Sequence, residues 1–160
     1  MKNSLITKRD ELTTRIGQIE SAFGAEYVPL KLRDELAEIA ERANKSEVIL
    51  AAFEAAGLVE TNKISTDTTV YVHKAHDLVG VIPSEGRIEW NIQFHGDAIW
   101  VTCNSGSIFT IVGDDVALMD KNRDMVLEQL NKVSEAARDF RIAEFKCVYD
   151  CLYKAIMTKA

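Results

Sequence analysis

The chain has 160 residues, of which 47% are hydrophobic and 28% charged, and its net charge at pH 7 is −6. This composition is typical of one globular domain and excludes a disordered chain. The surplus of negative charge opposes binding to nucleic acid or to an anionic membrane surface. No apolar run is long enough for a transmembrane helix, and the N-terminus lacks the apolar core of a secretory signal. We therefore expect a cytoplasmic protein whose three cysteines, an odd number, are free thiols.

The first predicted element is a helix of about 20 residues that ends at Gly24. Asn3 or Ser4 can cap its start with a side-chain oxygen. Its apolar residues lie on a spacing of three and four, with Arg9 in the one gap, and so share one face: Leu5, Leu12, Ile16, Ile19 and Phe23. This narrow, heptad-like stripe favours packing along another long helix.

Residues 31–57 are predicted to form two short helices separated by the sequence Asn-Lys-Ser. Ser46 would be the N-cap of the second helix and Gly57 its C-cap. Two such helices followed by strands would suit a winged-helix regulator. However, the second helix has two glutamates and no Lys or Arg, whereas a helix that reads a DNA groove needs donors for phosphates and bases. Nucleic acid is therefore a disfavoured partner.

From Thr68 the hydrophobic period changes to two, which predicts five strands near 69–74, 77–82, 87–95, 98–104 and 107–112. Their short connections make neighbours antiparallel, as in a β-meander. The segment after 112 is expected to leave the sheet and enter one long helix with two apolar stripes that are rotated from one another. Either this helix bends near 138–141, or its two halves contact different partners. We thus predict an α+β fold in a single domain, 1–160. It comprises a helical part (1–60), a β-meander (68–112) and a C-terminal helix (121–158) that packs on the sheet and on the first helix.

The segment from Arg87 to His95 alternates strictly between polar and apolar residues. A type II′ turn at Gly96-Asp97 would join it to the next strand and fix the register. The pairs on the apolar side are Phe94 with Ile99, Ile92 with Val101 and Trp90 with Cys103. The pairs on the polar side are His95 with Ala98, Gln93 with Trp100, Asn91 with Thr102 and Glu89 with Asn104. The apolar side is predicted to face the core.

The predicted ligand- or partner-binding residues are Asn91, Gln93, His95, Trp100 and Thr102. Amides, an imidazole and an indole make directional hydrogen bonds and stacking contacts while adding little charge. The alternative is that the C-terminal helix covers Trp100. A two-residue loop at Ser105-Gly106 would place Phe109 and Ile111 beside Trp100 and favour that covered arrangement, which we expect. A three-residue loop would place both on the core face and isolate Trp100.

Other candidate sites are less specific. His73, His76, His95 and Cys103 do not have the spacing of a zinc site. Cys147 and Cys151 share a helix face but have no third or fourth ligand nearby in sequence, so small core or interface residues are the preferred interpretation. The acidic residues after Gly113 lack the spacing of a calcium loop. No serine lies in a recognisable nucleophile elbow. We therefore predict no catalytic residue, no metal and no cofactor.

These observations favour a non-enzymatic cytosolic protein that holds another protein or a small ligand, as a homodimer, with no membrane partner. One alternative is a small enzyme that uses polar residues of the sheet face, with His95 as acid and base. The other alternative is the winged-helix regulator.

Overall fold

The computed structural model describes residues 2–65, 68–74, 85–104 and 106–157. By its internal contacts the chain divides into two compact units, Met1–Ala51 and Ala52–Ala160. The architecture is α+β, as predicted, with helices before and after an antiparallel sheet. Among the described helices, none is both long enough and apolar enough to cross a membrane.

The first helix, α1, spans Ser4–Phe23 and confirms the first predicted element. Asn3 caps its start, because its side-chain oxygen accepts a hydrogen bond from the Ile6 N–H at 3.0 Å. Gly24, with a φ of +108°, ends it, and the short 3-10 helix Ala25–Tyr27 follows. The apolar stripe is only partly buried: Leu12 and Ile16 are in the core, whereas Phe23 is 71% exposed.

The second helix, α2, spans Leu30–Ala55 without interruption, so the prediction of two helices separated at residues 44–46 is wrong. Asn, Lys and Ser each cost a helix little, and the segment has no glycine or proline to break it. Ser46 is therefore not an N-cap; it is fully buried within the helix. The helix-turn-helix interpretation loses its basis, because there is no turn. Gly57, with a φ of +87°, follows the end of α2, as expected of a residue that ends a helix.

Within the described residues the sheet has six strands, and each pairs antiparallel with the next described strand along the chain. Their bounds are β1 Leu58–Ser65, β2 Thr68–His73, β3 Trp90–His95, β4 Ala98–Cys103, β5 Gly106–Val112 and β6 Asp115–Leu118. The meander is confirmed, but the sequence analysis missed β1 and β6. These two strands were missed because polar or turn-forming residues in and beside them interrupt the alternation of apolar and polar side chains that marks a strand. The predicted strand at 77–82 lies outside the described residues.

The C-terminal segment forms two helices where one long helix was predicted. They are α3, Asp120–Asn131, and α4, Glu135–Met157. The interruption lies at residues 132–134, before the predicted bend at 138–141. The backbone oxygen of Ser134 accepts hydrogen bonds from the N–H groups of Ala137 and Arg138, so a new helix starts there.

An aromatic cluster fills the space between the sheet and α4 in the second unit. The ring of Trp90 stacks on that of Phe145 with centroids 5.7 Å apart, and Phe109 stacks on Tyr149 at 5.3 Å. Phe53, at the end of α2, lies 6.2 Å from Trp90. These rings show that α4 packs on the sheet face that carries Trp90.

Candidate functional site

The predicted β3–β4 hairpin has the register expected from sequence. Every pair from Trp90–Cys103 to His95–Ala98 is observed. Beyond the paired residues, the backbone N–H of Asn104 donates to the carbonyl oxygen of Glu89, and the N–H of Glu89 donates to the side-chain oxygen of Asn104. Gly96 has a φ of +60°, as the first loop position of a type II′ turn requires.

The apolar side of this hairpin faces the helices. Trp90, Val101 and Cys103 are fully buried, and Ile99 is 1% exposed. Ile92 and Phe94 occupy the same side but are only half-buried, toward the turn end of the hairpin. Because side chains alternate between the two faces of a strand, Trp100 points away from α4. The expectation that the C-terminal helix covers Trp100 is therefore wrong.

A β-bulge in β5 explains this outcome. Cys103 pairs with Gly106 and Thr102 with Ser107, but the next residue of β4, Val101, pairs with Phe109. The additional residue, Ile108, shifts the register by one position, as a bulge does. Phe109 and Ile111 consequently lie on the core face, and the predicted apolar patch beside Trp100 does not form.

Five residues define the polar face of the sheet, the name used below: Asn91, Gln93, His95, Trp100 and Thr102. At its turn end, the imidazole of His95 stacks on the indole of Trp100, with centroids 4.0 Å apart and planes 28° from parallel. The Nε2–H group of His95 donates to Oε1 of Gln93 at 3.3 Å in the matching tautomer. His95 is exposed, whereas Gln93 and Trp100 are partly exposed. The stack and the amide thus form one preformed group that solvent reaches.

The opposite end of the polar face is closed. Thr102 is only 4% exposed, and its hydroxyl donates a hydrogen bond to the side-chain oxygen of Asn91. On β2, Val70 and Val72 are each 3% exposed. Alternation along β2 places them on this same side of the sheet, because Tyr71 pairs with the core residue Trp90. Thr102 therefore orients Asn91, and the end of the polar face that solvent reaches is the one at His95.

Sequence analysis missed two neighbours of Trp100. Thr110 lies directly opposite Trp100, and Val112 lies opposite Ala98. Val112 is 50% exposed and adds apolar surface beside the stacked rings. Sequence analysis could not assign both residues to the polar face, because the bulge shifts the register of β5 by one residue and thereby decides which face of the sheet they occupy. The apolar Ile108-Phe109 dipeptide, which breaks the alternation, was the available signal.

The remaining candidate residues do not come together into a reactive centre in the described part of the chain. Burial raises the pKa of the Cys103 thiol far above its usual value, with a further contribution from the charge of Glu144, so this thiol is a poor nucleophile. His73 is partly buried at the end of β2, and His76 lies outside the described residues. Among the residues described, no three His, Cys, Asp or Glu side chains could jointly hold a metal ion.

The comparisons with known proteins add no assignment. No protein-family model matches the chain, and no curated protein or solved structure is significantly similar to it.

Proposed function

We propose that this protein is a non-enzymatic, cytosolic binding protein that holds another protein or a small ligand on the polar face of its sheet. The observation that carries the proposal is the His95–Trp100 stack, which lies on the side of the sheet away from α4. An indole costs free energy to expose, so a partly exposed indole that is fixed by a neighbouring ring is suited to contact a ligand.

The chemistry of the site favours a ligand with a flat or apolar group and hydrogen-bonding atoms beside it. The stacked rings and Val112 offer apolar surface, and the Gln93 amide offers a donor and an acceptor at its edge. The strand residues of this face, from Asn91 to Trp100, add no acidic or basic side chain apart from His95. Recognition would therefore depend on stacking and hydrogen bonds.

No contact of His95 specifically favours the alternative in which this residue is the acid and base of an enzyme. In the described residues, the recorded contacts of His95 are the Gln93 amide and the Trp100 ring. Neither group accepts or relays a proton as a carboxylate partner of a catalytic histidine does. A binding role requires only the contacts that are present.

We also propose that the protein is a homodimer associated through helices of its first unit. Phe23, Tyr27 and Leu30 are 71%, 65% and 76% exposed, respectively, within eight residues of sequence. Large apolar side chains exposed close together in sequence offer a surface for association, and we refer to these three as the exposed apolar cluster. Free thiols at Cys103, Cys147 and Cys151 support a reducing compartment such as the cytosol.

The binding proposal can be tested by NMR with isotope-labelled protein. The protein is titrated with a library of small aromatic and carbohydrate compounds, and with peptides that phage display has selected from a random library. We expect ligands to shift the indole resonance of Trp100 and the amide resonances of Gln93 and Asn91. The double variant Gln93→Ala/Trp100→Ala should lose this binding while it stays folded. The matched control is Met125→Ala, which removes an exposed side chain from α3. Ligands that bind elsewhere, or that bind the double variant equally well, would refute the proposal.

A further inference from the structure

Two of the three cysteines lie together on the surface of α4. Cys147 and Cys151 are four residues apart, so their side chains share one face of the helix, one turn from each other. Cys147 is exposed and Cys151 is partly exposed. Of the two sequence-based interpretations, core or interface residues, the core interpretation is therefore wrong for Cys147.

The two thiols are close enough to influence each other's ionisation. The pKa of Cys151 is raised first by burial, and then by the charge and hydrogen bonding of the Cys147 thiol. The carboxylate of the neighbouring Asp150 also raises the pKa of Cys151, whereas the ammonium group of Lys154, three residues further along the helix, lowers it. A cation held between the two sulfurs would relieve the mutual repulsion of the thiolates, and Lys154 would offset the remaining negative charge.

The number of available ligands restricts which metal could bind. A structural zinc ion takes four protein ligands in a tetrahedron. In the ranges that the structure describes, no cluster of three or more His, Cys, Asp or Glu side chains is present. Thiolates select soft metal ions. Among these ions, Cu(I) is the one whose coordination can be completed by two sulfur ligands in a linear arrangement. Hard ions such as Mg²⁺ and Ca²⁺ prefer oxygen ligands and are disfavoured here.

We propose that Cys147 and Cys151 form a dithiol site for a soft, two-coordinate metal ion of the class of Cu(I). Binding forms two metal–sulfur bonds and releases the two thiol protons to solvent, with no change in the oxidation state of the metal or of sulfur. Because protons are released, the apparent affinity should rise with pH. The site is independent of the polar face, since its residues lie on α4.

The test is a titration of the reduced, full-length protein with Cu(I) under anaerobic conditions, in competition with a chromophoric Cu(I) chelator. We expect one Cu(I) per chain at the site. Phenylarsine oxide provides a second probe, since its arsenic exchanges one oxygen for two neighbouring sulfurs and releases water. Mass spectrometry of the intact protein should show one arsenical per chain attached through two sulfurs.

The variants separate a dithiol site from the reaction of single cysteines. Neither Cys147→Ser nor Cys151→Ser should bind Cu(I) or form the arsenical adduct, because each variant retains only one of the two thiols that the site requires. The matched control, Cys151→Ser/Lys154→Cys, retains two thiols on the helix but separates them by seven residues, about 10 Å at 1.5 Å per residue. It should also lose both probes. Circular dichroism would verify that each variant is folded. Retention of Cu(I) by either single variant or by the spaced control, or failure of the wild-type protein to bind, would overturn the proposal.

Discussion

Arg141 and Glu144, one turn apart on α4, form an ion pair of 2.8 Å in which neither side chain is appreciably exposed to solvent. Arg141 is further fixed by a hydrogen bond of 2.9 Å from its Nε to the backbone oxygen of Glu85. Removal of two charges from water is costly, and the pair offsets that cost only while both partners are present. The two residues are therefore expected to act as a unit.

Replacement of Arg141 by Met should strongly destabilise the protein, because Glu144 would remain buried without its partner. Loss of one member of a buried pair typically costs about 3–5 kcal/mol of unfolding free energy. Urea unfolding would measure this loss. The control is Arg138→Met, which removes an exposed arginine 3.7 Å from Asp139 and should cost no more than about 1 kcal/mol. Equal losses in the two variants would contradict the prediction.

The same pair predicts how stability depends on pH. Burial raises the pKa of Glu144, and Arg141 partly opposes this shift, with a smaller contribution from His73. The folded state therefore holds the proton more tightly than the unfolded state does. This contribution to stability is complete below the ordinary glutamate pKa of about 4.3, and it is lost as pH rises through the folded value.

In Arg141→Met the larger opposing effect is absent and only the smaller effect of His73 remains, so the pKa of Glu144 should rise further and the loss of stability should extend to higher pH. Urea unfolding at several pH values should show a greater deficit at neutral than at acidic pH. Adding Glu144→Gln to the variant should remove this difference. A deficit that is independent of pH would contradict the expected role of Glu144.

The two tryptophans lie on opposite faces of the sheet and should differ in their effect on stability. Trp90 is fully buried against Phe145, and its replacement by Ala should cost about 3–5 kcal/mol. Trp100 is partly exposed and stacks on His95, so Trp100→Ala should cost only about 1–2 kcal/mol. Chemical unfolding of the two variants in parallel would measure both. A loss for Trp100→Ala as large as that for Trp90→Ala would show that Trp100 belongs to the core.

Ser46 offers a prediction of increased stability. Its hydroxyl is buried inside α2 and has no hydrogen-bond partner among the described residues. An unsatisfied buried polar group costs about 1–3 kcal/mol, and Ala favours a helix more than Ser does. Ser46→Ala should therefore raise the melting temperature. Ser21→Ala, at an exposed position of α1, gains only the helix preference and serves as the control. A lower melting temperature for Ser46→Ala than for Ser21→Ala would contradict this prediction.

The proposed dimer predicts that polar substitutions at the exposed apolar cluster dissociate it. Phe23→Ser/Tyr27→Ser/Leu30→Ser should sediment as a monomer where the wild-type protein sediments as a dimer, because the apolar surface that drives association is removed. The control is Met125→Ser/Met157→Ser, which changes exposed apolar residues of the second unit. A wild-type protein that sediments as a monomer would refute the proposed dimer.

Local patterns were sufficient to predict several elements from sequence. Asn3 and Gly24 mark the two ends of α1, and strict alternation with a Gly-Asp turn determined the register of β3 and β4. These features depend on residues close together in the chain. The interruption between α3 and α4 was misplaced because no glycine or proline marks it, and the continuity of α2 was missed because Ser46 resembles an N-cap.

The candidate site was only partly predictable for a similar reason. The members of the polar face follow from alternation along one hairpin. Whether Trp100 is covered depends on the bulge at Ile108 and on which face α4 selects, and both are set by packing distant in sequence. The exposure of Cys147 likewise depends on how α4 is rotated about its axis, which two successive stripes rotated from one another left undetermined.

The order of the strands has a consequence for how quickly the second unit folds. Each strand of the sheet hydrogen-bonds to the strand that precedes or follows it in the chain, and β3 to β6 are joined by very short connections. Such hairpins close small loops and lose little chain entropy before their contacts form. Proteins in which contacting residues are close in sequence fold faster than those built from distant pairings. The sheet should therefore assemble by successive addition of hairpins, and its folding rate should resemble that of mixed α/β domains more than that of β-sandwiches.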